Sequence, residues 1–398
     1  MSDFTSRLKY VKLGDVLSVF LFLFAVIPSI IIKRIHLALW LICEDENEAR
    51  DNGYWLYKHI KEKHPEIDAV YAINKKSPDY QKVKILGKVI QYGSLTHWIY
   101  YLAADKNISS QKGGKPNAAL CYLLEIYGFL KNKRIFLQHG ITINDTKWLH
   151  YEVTKVSLFI CAAKPEYDYV KNHFKYPNEN IKLLGFCRYD NLNNGKVNRK
   201  QILIMPTWRG WLARPAGRSK EYDNIDDFTK TGYFRHWNAL LNNAELGNYL
   251  AKDNLKVVFF PHRNMQKFIG NFGIKSSNII IAGWREYDVQ ELLNESAFLI
   301  TDYSSISMDF AYMKKPLMYY QFDQEEFRTG QYGEGYFSYR NSGFGEVVTK
   351  EHELVSLIGQ YIKNGFEMKN EYISRVSDFF CFTDRNNCER NFCAIEAL

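Results

Sequence analysis

Short apolar runs alternate with stretches of helical character along most of this 398-residue chain. In the first half the strand-like runs are "IHLALWLIC", "DAVYAIN", "KVI", "KRIFLQHG", "VSLFICAA" and "IKLLGF". In the second half they are "QILIMPTWRG", "LKVVFFPHRNM", "NIIIAG", "AFLITDYSS" and "KPLMYYQFD". Strands that are joined through helices pair in parallel, and helices cover the faces of the sheet. The alternation therefore predicts an α/β fold.

The two series are separated by residues 191–199, "NLNNGKVNR", a polar stretch rich in Asn and Gly. A chain of this length exceeds one ordinary hydrophobic core, so two domains are expected. We predict two Rossmann-like domains that face a cleft, at residues 36–195 and 196–375. Residues 376–398 are predicted to form a helix that packs back on the first domain. The sequence contains no G-x-G-x-x-G fingerprint of a nicotinamide or flavin site.

The N-terminal region contains an uncharged apolar run, Val16–Ile32. Basic residues flank this run on both sides: Arg7, Lys9, Lys12, Lys33 and Arg34. A helix that spans a bilayer needs about 20 apolar residues, and Pro28 interrupts this shorter run. We therefore predict that residues 1–35 lie in an anionic inner leaflet without crossing it. A spanning helix and a helix buried in the protein are the alternatives.

The amino-acid composition indicates the cellular compartment of the protein and the classes of partner that it can bind. The seven cysteines include no C-x-x-C pair, which favours a reducing compartment and argues against a disulfide framework or a structural zinc site. The formal net charge of +8 is compatible with nucleic acid, an anionic membrane or phosphorylated substrates. The aromatic residues lie inside strand and helix patterns and not in a base-stacking motif, so no nucleic-acid partner is predicted.

Polar side chains follow four strand-like runs at the points where the strands are predicted to end. They are His139, Gly140, Thr142 and Lys147; Thr207, Trp208 and Arg209; His262 and Arg263; and Asp302, Tyr303, Ser304 and Ser305. Each residue has a structural explanation of its own, such as helix capping by the two serines or packing by the tryptophan. In open α/β sheets, however, ligands bind beyond the carboxyl ends of the strands. The shared placement therefore favours a ligand site.

Transfer of a phosphate-containing group fits these residue types. A histidine can remove a proton from a hydroxyl near neutral pH, and arginine forks and helix N-termini stabilise phosphate charge. The sequence shows no D-x-D pair and no His/Asp/Glu cluster with metal-ligand spacing. We therefore predict a site that requires neither a metal nor another cofactor.

Several ordered segments resemble the CDP-glycerol glycerophosphotransferase family of teichoic-acid and capsule enzymes. They are "FLQHGIT", "MPTWRG", "FFPHR", "YDVQELLNESAFLITDYSSISMDFAYMKKPLMYY" and "FRTGQYGEGYFSYRNSGFG", and the resemblance runs from about Leu39 to about Cys393. It implies a GT-B architecture and a metal-independent transfer of glycerol phosphate or ribitol phosphate from a CDP-activated donor. Gln138 stands where many members carry tryptophan.

The resemblance also implies roles for individual residues. His139 would be the base on the acceptor hydroxyl, and His262 would bind donor phosphate or stabilise the transferring group. The donor set is Thr207, Arg209, Arg263, Asp302, Tyr303, Ser304 and Ser305. The acceptor-side set is Gly140, Thr142 and Lys147.

These roles imply a peripheral or monotopic enzyme at the cytoplasmic face of the cell membrane. The expected acceptor is lipid-linked or an oligosaccharide, and a homo-oligomer is possible. Two rivals remain open from the sequence: a GT-B glycosyltransferase that uses a nucleotide sugar, and an inactive membrane-bound scaffold.

Overall fold

A computed structural model describes residues 13–192, 195, 197–213 and 228–398. The described chain forms two compact units. Unit 1 comprises the chain up to His139, Lys147–Asp190 and Phe382–Leu398, and unit 2 comprises Gly140–Thr146 and Asn191–Cys381. The basic residues Arg7, Lys9 and Lys12, and part of the predicted linker, lie outside the described residues.

Unit 1 contains a seven-stranded sheet in which every pairing is parallel. Its strands are β1 Trp40–Ile42, β2 Ala69–Ile73, β3 Val89–Gln91, β4 Lys106–Ser109, β5 Lys133–Phe136, β6 Leu158–Cys161 and β7 Ile181–Leu183. Their order, β3-β2-β1-β4-β5-β6-β7, extends the order that is typical of Rossmann folds.

The helices of unit 1 cover this sheet and include the apolar N-terminal segment. They are α1 Leu13–Ile35, α2 Asn52–Lys63, α3 Tyr80–Leu86, α4 Leu95–Ala103, α5 Ala118–Ile126, α6 Tyr151–Thr154 and α7 Lys164–His173. Short 3₁₀ helices lie at Lys147–Leu149, Asn178–Asn180 and Cys187–Asn191.

Unit 2 contains a six-stranded sheet that is also entirely parallel. Its strands are β8 Asn198–Ile204, β9 Lys256–Phe259, β10 Ile279–Ile281, β11 Ser296–Thr301, β12 Leu317–Tyr320 and β13 Gly345–Val348. The order β10-β9-β8-β11-β12-β13 repeats the Rossmann pattern. The prediction of two Rossmann-like domains is therefore confirmed.

The helices that the structure describes in unit 2 all follow β8. They are α8 Gly232–Leu241, α9 Ala244–Lys252, α10 Val289–Glu295, α11 Ile306–Tyr312, α12 Gln324–Gly330, α13 Tyr339–Ser342, α14 Glu351–Lys363 and α15 Asn370–Phe379. Two 3₁₀ helices lie at Phe228–Lys230 and Arg263–Asn271. The last helix, α16 Asn387–Glu396, follows the return of the chain to unit 1.

The apolar periodicity of "WNALLNNAELGNYLA" by itself predicts one helix over this segment, and the structure shows that this prediction is wrong. The segment forms α8 and α9, which are separated at Asn242 and Asn243. The Asn243 side chain accepts a hydrogen bond from the backbone N–H of Leu246 and so begins a new helix. An asparagine cap interrupts an otherwise continuous apolar periodicity.

The structure divides the chain at Asp190/Asn191, a few residues before the predicted boundary at 195/196. The return to unit 1 occurs at Phe382 and not at residue 376, because α15 belongs to unit 2. Segment Gly140–Thr146 belongs to unit 2, although it lies within the range predicted for the first domain.

Candidate functional site

The strand order of unit 2 reverses between β8 and β11, so ligands are expected beyond the carboxyl ends of these two strands. Thr207 follows β8 and Asp302 follows β11. The Asp302 carboxylate accepts hydrogen bonds from the backbone N–H groups of Thr207, at 2.8 Å, and of Tyr303, at 2.7 Å. The two strand-end loops are therefore fixed to each other by one buried carboxylate.

Arg209 is fully buried at this edge, with a side-chain exposure of 0%. Its guanidinium donates to Asp302 Oδ2 at 2.9 Å and to both carboxylate oxygens of Asp323, at 2.7 and 3.0 Å. A fourth hydrogen bond joins Nη1 to the carbonyl oxygen of Thr207 at 2.9 Å. The guanidinium therefore makes its hydrogen bonds to protein acceptors, and Arg209 holds the loops after β8 and β11 in position. The predicted contact with the donor stays a prediction.

Tyr303 belongs to the same buried network. Its ring stacks on Phe327 with centroids 3.9 Å apart, and its hydroxyl donates to Asp323 Oδ1 at 3.1 Å. The Arg209 guanidinium lies 5.1 Å from the centre of the Tyr303 ring. Tyr303 therefore supports the loop that carries the two serines.

Ser304 and Ser305 are partly exposed and precede α11. The Ser304 hydroxyl accepts from the backbone N–H of Ile306 at 3.3 Å, which is a local capping bond. Ser305 occupies the N-cap position without a side-chain cap hydrogen bond. Capping therefore accounts for the first serine and not for the second.

Gly140, the residue after His139 in the chain, lies against Ser305 within unit 2. A Cβ at position 140 would lie 2.5 Å from Ser305 Oγ and 3.2 Å from Ser305 Cβ. A larger residue at position 140 would therefore displace the Ser305 side chain. Segment Gly140–Thr146 is also held by a bridge between Asp145 and Gly333.

We expect Gly140→Ala to destabilise unit 2 by about 1–3 kcal/mol, since the added methyl group overpacks a close contact. Thermal and urea unfolding would measure the loss. Ser305→Gly in the same chain should restore most of it, which a double-mutant cycle would quantify. Gly270→Ala is the matched control, because a Cβ there meets no atom within 4 Å. Equal stability of Gly140→Ala and wild type would contradict the contact.

His262 and Arg263 follow β9 in unit 2. His262 is exposed, and its Nδ1 accepts from the backbone N–H of Asn264 at 3.2 Å. A neutral imidazole in this arrangement carries its proton on Nε2 and can donate it to an oxygen. Arg263 is partly buried, with its guanidinium 4.7 Å from the ring centre of Trp284.

His139 is an exposed side chain of unit 1 that follows β5. The preceding residue, Gln138, is buried and has a φ of +60°, which is unusual for a residue with a side chain. Its amide donates to the carbonyl oxygen of Ile160 at 2.8 Å and to Glu166 Oε1 at 3.0 Å. These bonds hold the turn that presents His139.

Asn52 stabilises the same turn from α2. Its side-chain amide donates to the carbonyl oxygens of Gln138, at 2.6 Å, and of Leu137, at 3.3 Å. Its Oδ1 accepts from the backbone N–H of Arg188 at 3.0 Å. One fully buried asparagine thus joins the end of β5, α2 and the 3₁₀ helix Cys187–Asn191.

The His139 side chain reaches solvent, but nearby protein atoms disfavour the charged form of its imidazole, and this is the first cause of its lowered pKa. The Asp51 carboxylate opposes this effect, and the Arg188 guanidinium adds to it. Asp51 and Arg188 are themselves paired, with Nη1 and Oδ1 2.8 Å apart. A lowered pKa keeps the imidazole neutral and able to accept a proton at pH 7.

Asp51→Asn should move the acidic limb of the pH profile of kcat/KM to lower pH. Removal of the negative charge removes an influence that raises the pKa of His139, so the base stays neutral at more acidic pH. Asparagine can still cap α2, as Asp51 does. Glu62→Gln, on the same helix, is the control, and its pH profile is not expected to shift. An acidic limb that does not move in Asp51→Asn would contradict the electrostatic coupling.

The predicted acceptor-side residues are distributed over the two units. Gly140 and the buried Thr142 belong to unit 2, whereas Lys147 is an exposed residue at the start of the first 3₁₀ helix of unit 1. The functional roles of all twelve predicted site residues stay predictions. The supporting residues that the sequence did not indicate are Asp51, Asn52, Glu166, Arg188 and Asp323.

The sequence model of the CDP-glycerol:poly(glycerophosphate) glycerophosphotransferase family matches residues 28–396. The chain belongs to this family. The resemblance stated from its motifs is thereby confirmed.

Similar curated proteins include the minor teichoic acid biosynthesis protein GgaB of Bacillus subtilis (strain 168), which is 37% identical over 367 residues. The teichoic acid poly(glycerol phosphate) polymerase of Bacillus spizizenii is 26% identical over 234 residues. These alignments cover 90% and 56% of this chain, and 40% and 51% of the two relatives. The family member described here therefore matches about half or less of each relative's length.

The solved structure of a variant of the wall teichoic acid polymerase TagF is similar, with a TM-score of 0.67 and 15% identity. The match covers 90% of this chain and 88% of that chain. A UDP-GlcNAc 2-epimerase from Neisseria meningitidis matches with a TM-score of 0.52 and 12% identity, over 91% of this chain and all of the other. At these identities the likenesses show the fold, and they confirm the GT-B class.

Proposed function

We propose that this protein transfers a polyol phosphate from a CDP-activated donor to a hydroxyl group of a lipid-linked or saccharide acceptor and releases CMP. The process it serves is the synthesis of a teichoic-acid-like or capsular polymer. Membership of the glycerophosphotransferase family is the observation that carries the proposal. An independent observation also supports the proposal. His139 is exposed on a turn that hydrogen bonds hold in place, and the pKa of its imidazole is lowered.

In the proposed reaction, the imidazole of His139 takes the proton of the acceptor hydroxyl. The hydroxyl oxygen then attacks the β-phosphorus of the donor, and the bond from that phosphorus to the bridging oxygen breaks. CMP leaves with the bridging oxygen and the electron pair of the broken bond. Catalysis of phosphoryl transfer of this kind depends mainly on positioning and on stabilising charge.

Donor binding is assigned to the strand ends of unit 2. His262 and Arg263 supply hydrogen-bond donors, and the Ser305 hydroxyl is not used to cap α11. Asp302, Arg209 and Tyr303 hold the loops beneath these groups. Exposed groups would thus contact the diphosphate, and buried groups would keep them in place.

The decisive assay supplies CDP-glycerol or CDP-ribitol together with candidate lipid-linked and oligosaccharide acceptors and measures CMP. We expect acceptor-dependent CMP release with one of the two donors. Release of a nucleoside diphosphate from nucleotide sugars, without CMP release from either CDP-polyol, would instead establish the glycosyltransferase alternative. Absence of turnover with every donor would favour the scaffold.

We also propose that α1 attaches the enzyme to the cytoplasmic face of the membrane. Gly14–Ile35 is long and apolar enough to cross a bilayer by length and composition. One side of the helix is packed into unit 1, where Ser18, Ala25 and Ser29 are buried and Phe22 contacts the Trp98 ring. The other side exposes apolar residues along its length: Leu17, Phe20, Leu23, Phe24, Ile27 and Ile31. A helix fixed along its length in this way favours insertion in the plane of the membrane.

Phe24→Gln and Ile27→Gln together should weaken binding to phosphatidylglycerol vesicles by about tenfold or more, because each change removes exposed apolar surface from the lipid contact. These two side chains are 70% and 72% exposed, so the fold should be unaffected. Vesicle co-sedimentation would measure the effect. The matched control is Ile85→Gln, which changes an 83% exposed residue on α3. Equal pelleting of all three proteins would contradict the proposed anchor.

A further inference from the structure

Two histidines and one glutamate that are distant in sequence meet in unit 1. His59 lies on α2, and His64 is the residue that caps the C-terminus of this helix. Glu389 lies in the first turn of α16, more than three hundred residues later. All three residues are partly buried, and one nitrogen or oxygen atom from each lies within 4.8 Å of the others.

The carboxylate of Glu389 is central to this His59–His64–Glu389 cluster. Its Oε2 lies 2.7 Å from Nε2 of His59 and 3.0 Å from Nε2 of His64. Two imidazole nitrogens and a carboxylate oxygen therefore point to one place.

The surroundings fix the orientation of the His64 ring. The ring stacks on Phe392 with centroids 3.6 Å apart and an interplanar angle of 15°. Its other nitrogen, Nδ1, lies 3.6 Å from Glu66 Oε1. The stacked ring has its Nε2 atom 3.0 Å from Glu389 Oε2.

We propose that this cluster binds one divalent transition-metal ion of the zinc class through Nε2 of His59, Nε2 of His64 and the Glu389 carboxylate. Two imidazoles and one carboxylate are a recognised zinc ligand set, and water completes the four-coordinate site. Bond lengths of about 2.0–2.2 Å require the three ligand atoms to separate slightly, and the partial exposure of the cluster allows this. The inference is separate from the proposed transferase activity.

The metal would have a structural role. His59 lies about 10 Å along the axis of α2 from Asn52, the residue that supports the turn at His139. The ion would instead join α16 to α2 and so fasten the end of the chain to unit 1. Cys393, whose Sγ lies 3.4 Å from Glu389 Oε1, is a protein alternative to water as the fourth ligand.

The test uses the full chain without a histidine tag, stripped with EDTA and titrated with ZnCl₂. We expect one zinc ion per chain by calorimetry and elemental analysis, and a rise in Tm of at least about 3 °C at saturating zinc. Substitution by Co²⁺ should give the intense visible absorption of a tetrahedral site. An added thiolate-to-cobalt band that disappears in Cys393→Ser would identify Cys393 as the fourth ligand in place of water.

Single variants locate the site. His64→Gln and Glu389→Gln should each weaken zinc binding more than about 100-fold, because each variant removes one proposed ligand. His150→Gln in unit 1 and His236→Gln in unit 2 should bind zinc as the wild type does. If Glu389→Gln does not fold, the Co²⁺ spectrum of the wild type still decides the question. An octahedral spectrum, less than about a tenth of an equivalent of zinc, or binding that only His150→Gln removes would overturn the proposal.

Discussion

Replacement of His139 by alanine is expected to lower kcat for CMP release by about 10²–10⁴-fold, which is the range for loss of a general base. The physical reason is local. The imidazole is exposed on a turn fixed by Gln138 and Asn52, and its lowered pKa keeps it unprotonated at neutral pH. Because the side chain is exposed, the loss should appear in turnover and not in stability.

The control for this prediction is His150→Ala, a partly buried histidine of unit 1 that is given no role in transfer. It should retain turnover close to that of the wild type. Calorimetry with CDP-glycerol should show that His139→Ala still binds the donor, which separates loss of chemistry from loss of binding. Turnover by His139→Ala within threefold of wild type would refute its role as the base, and full complementation of a deletion strain would support the scaffold reading.

Arg209→Met should destabilise unit 2 by about 3–5 kcal/mol, the cost of removing one partner from a buried ion pair. Both Asp302 and Asp323 would lose a charged partner. Burial already raises the pKa of Asp302, and the Arg209 guanidinium, which lowers that pKa, would no longer oppose this effect. Since the same guanidinium holds the loops after β8 and β11, transfer activity should fall as well. Urea denaturation monitored by fluorescence and the CMP assay would measure the two effects.

A matched control is Arg328→Met, which removes an arginine whose partner Glu334 is exposed and 4.0 Å away. Its expected cost is below about 1 kcal/mol, as is typical of exposed ion pairs. The combination of Arg209→Met with Asp302→Asn and Asp323→Asn should recover part of the lost stability, because no buried charge is then left uncompensated. A free energy of unfolding unchanged in Arg209→Met would show that the network contributes nothing.

The positions of the polar residues after the strands of unit 2 could be predicted from the sequence. Thr207, His262 and Asp302 do follow neighbouring parallel strands of unit 2, because apolar runs and polar turns are local signals. The resemblance places Arg209 in the donor set, and the structure adds that its guanidinium is buried between two carboxylates. One of those carboxylates, Asp323, follows β12 with no distinguishing motif around it.

The sequence alone determined the α/β class, the two series of strands, the family and the candidate base. These features depend on the period of the apolar residues, on turn chemistry and on short motifs, all of which are encoded within a few neighbouring residues. Only the tertiary structure showed that Asn52 supports the turn at His139, that Ser305 lies against Gly140, and that Glu389 meets His59 and His64. Such contacts join residues up to 330 positions apart. They depend on how helices and strands pack, which no local pattern records.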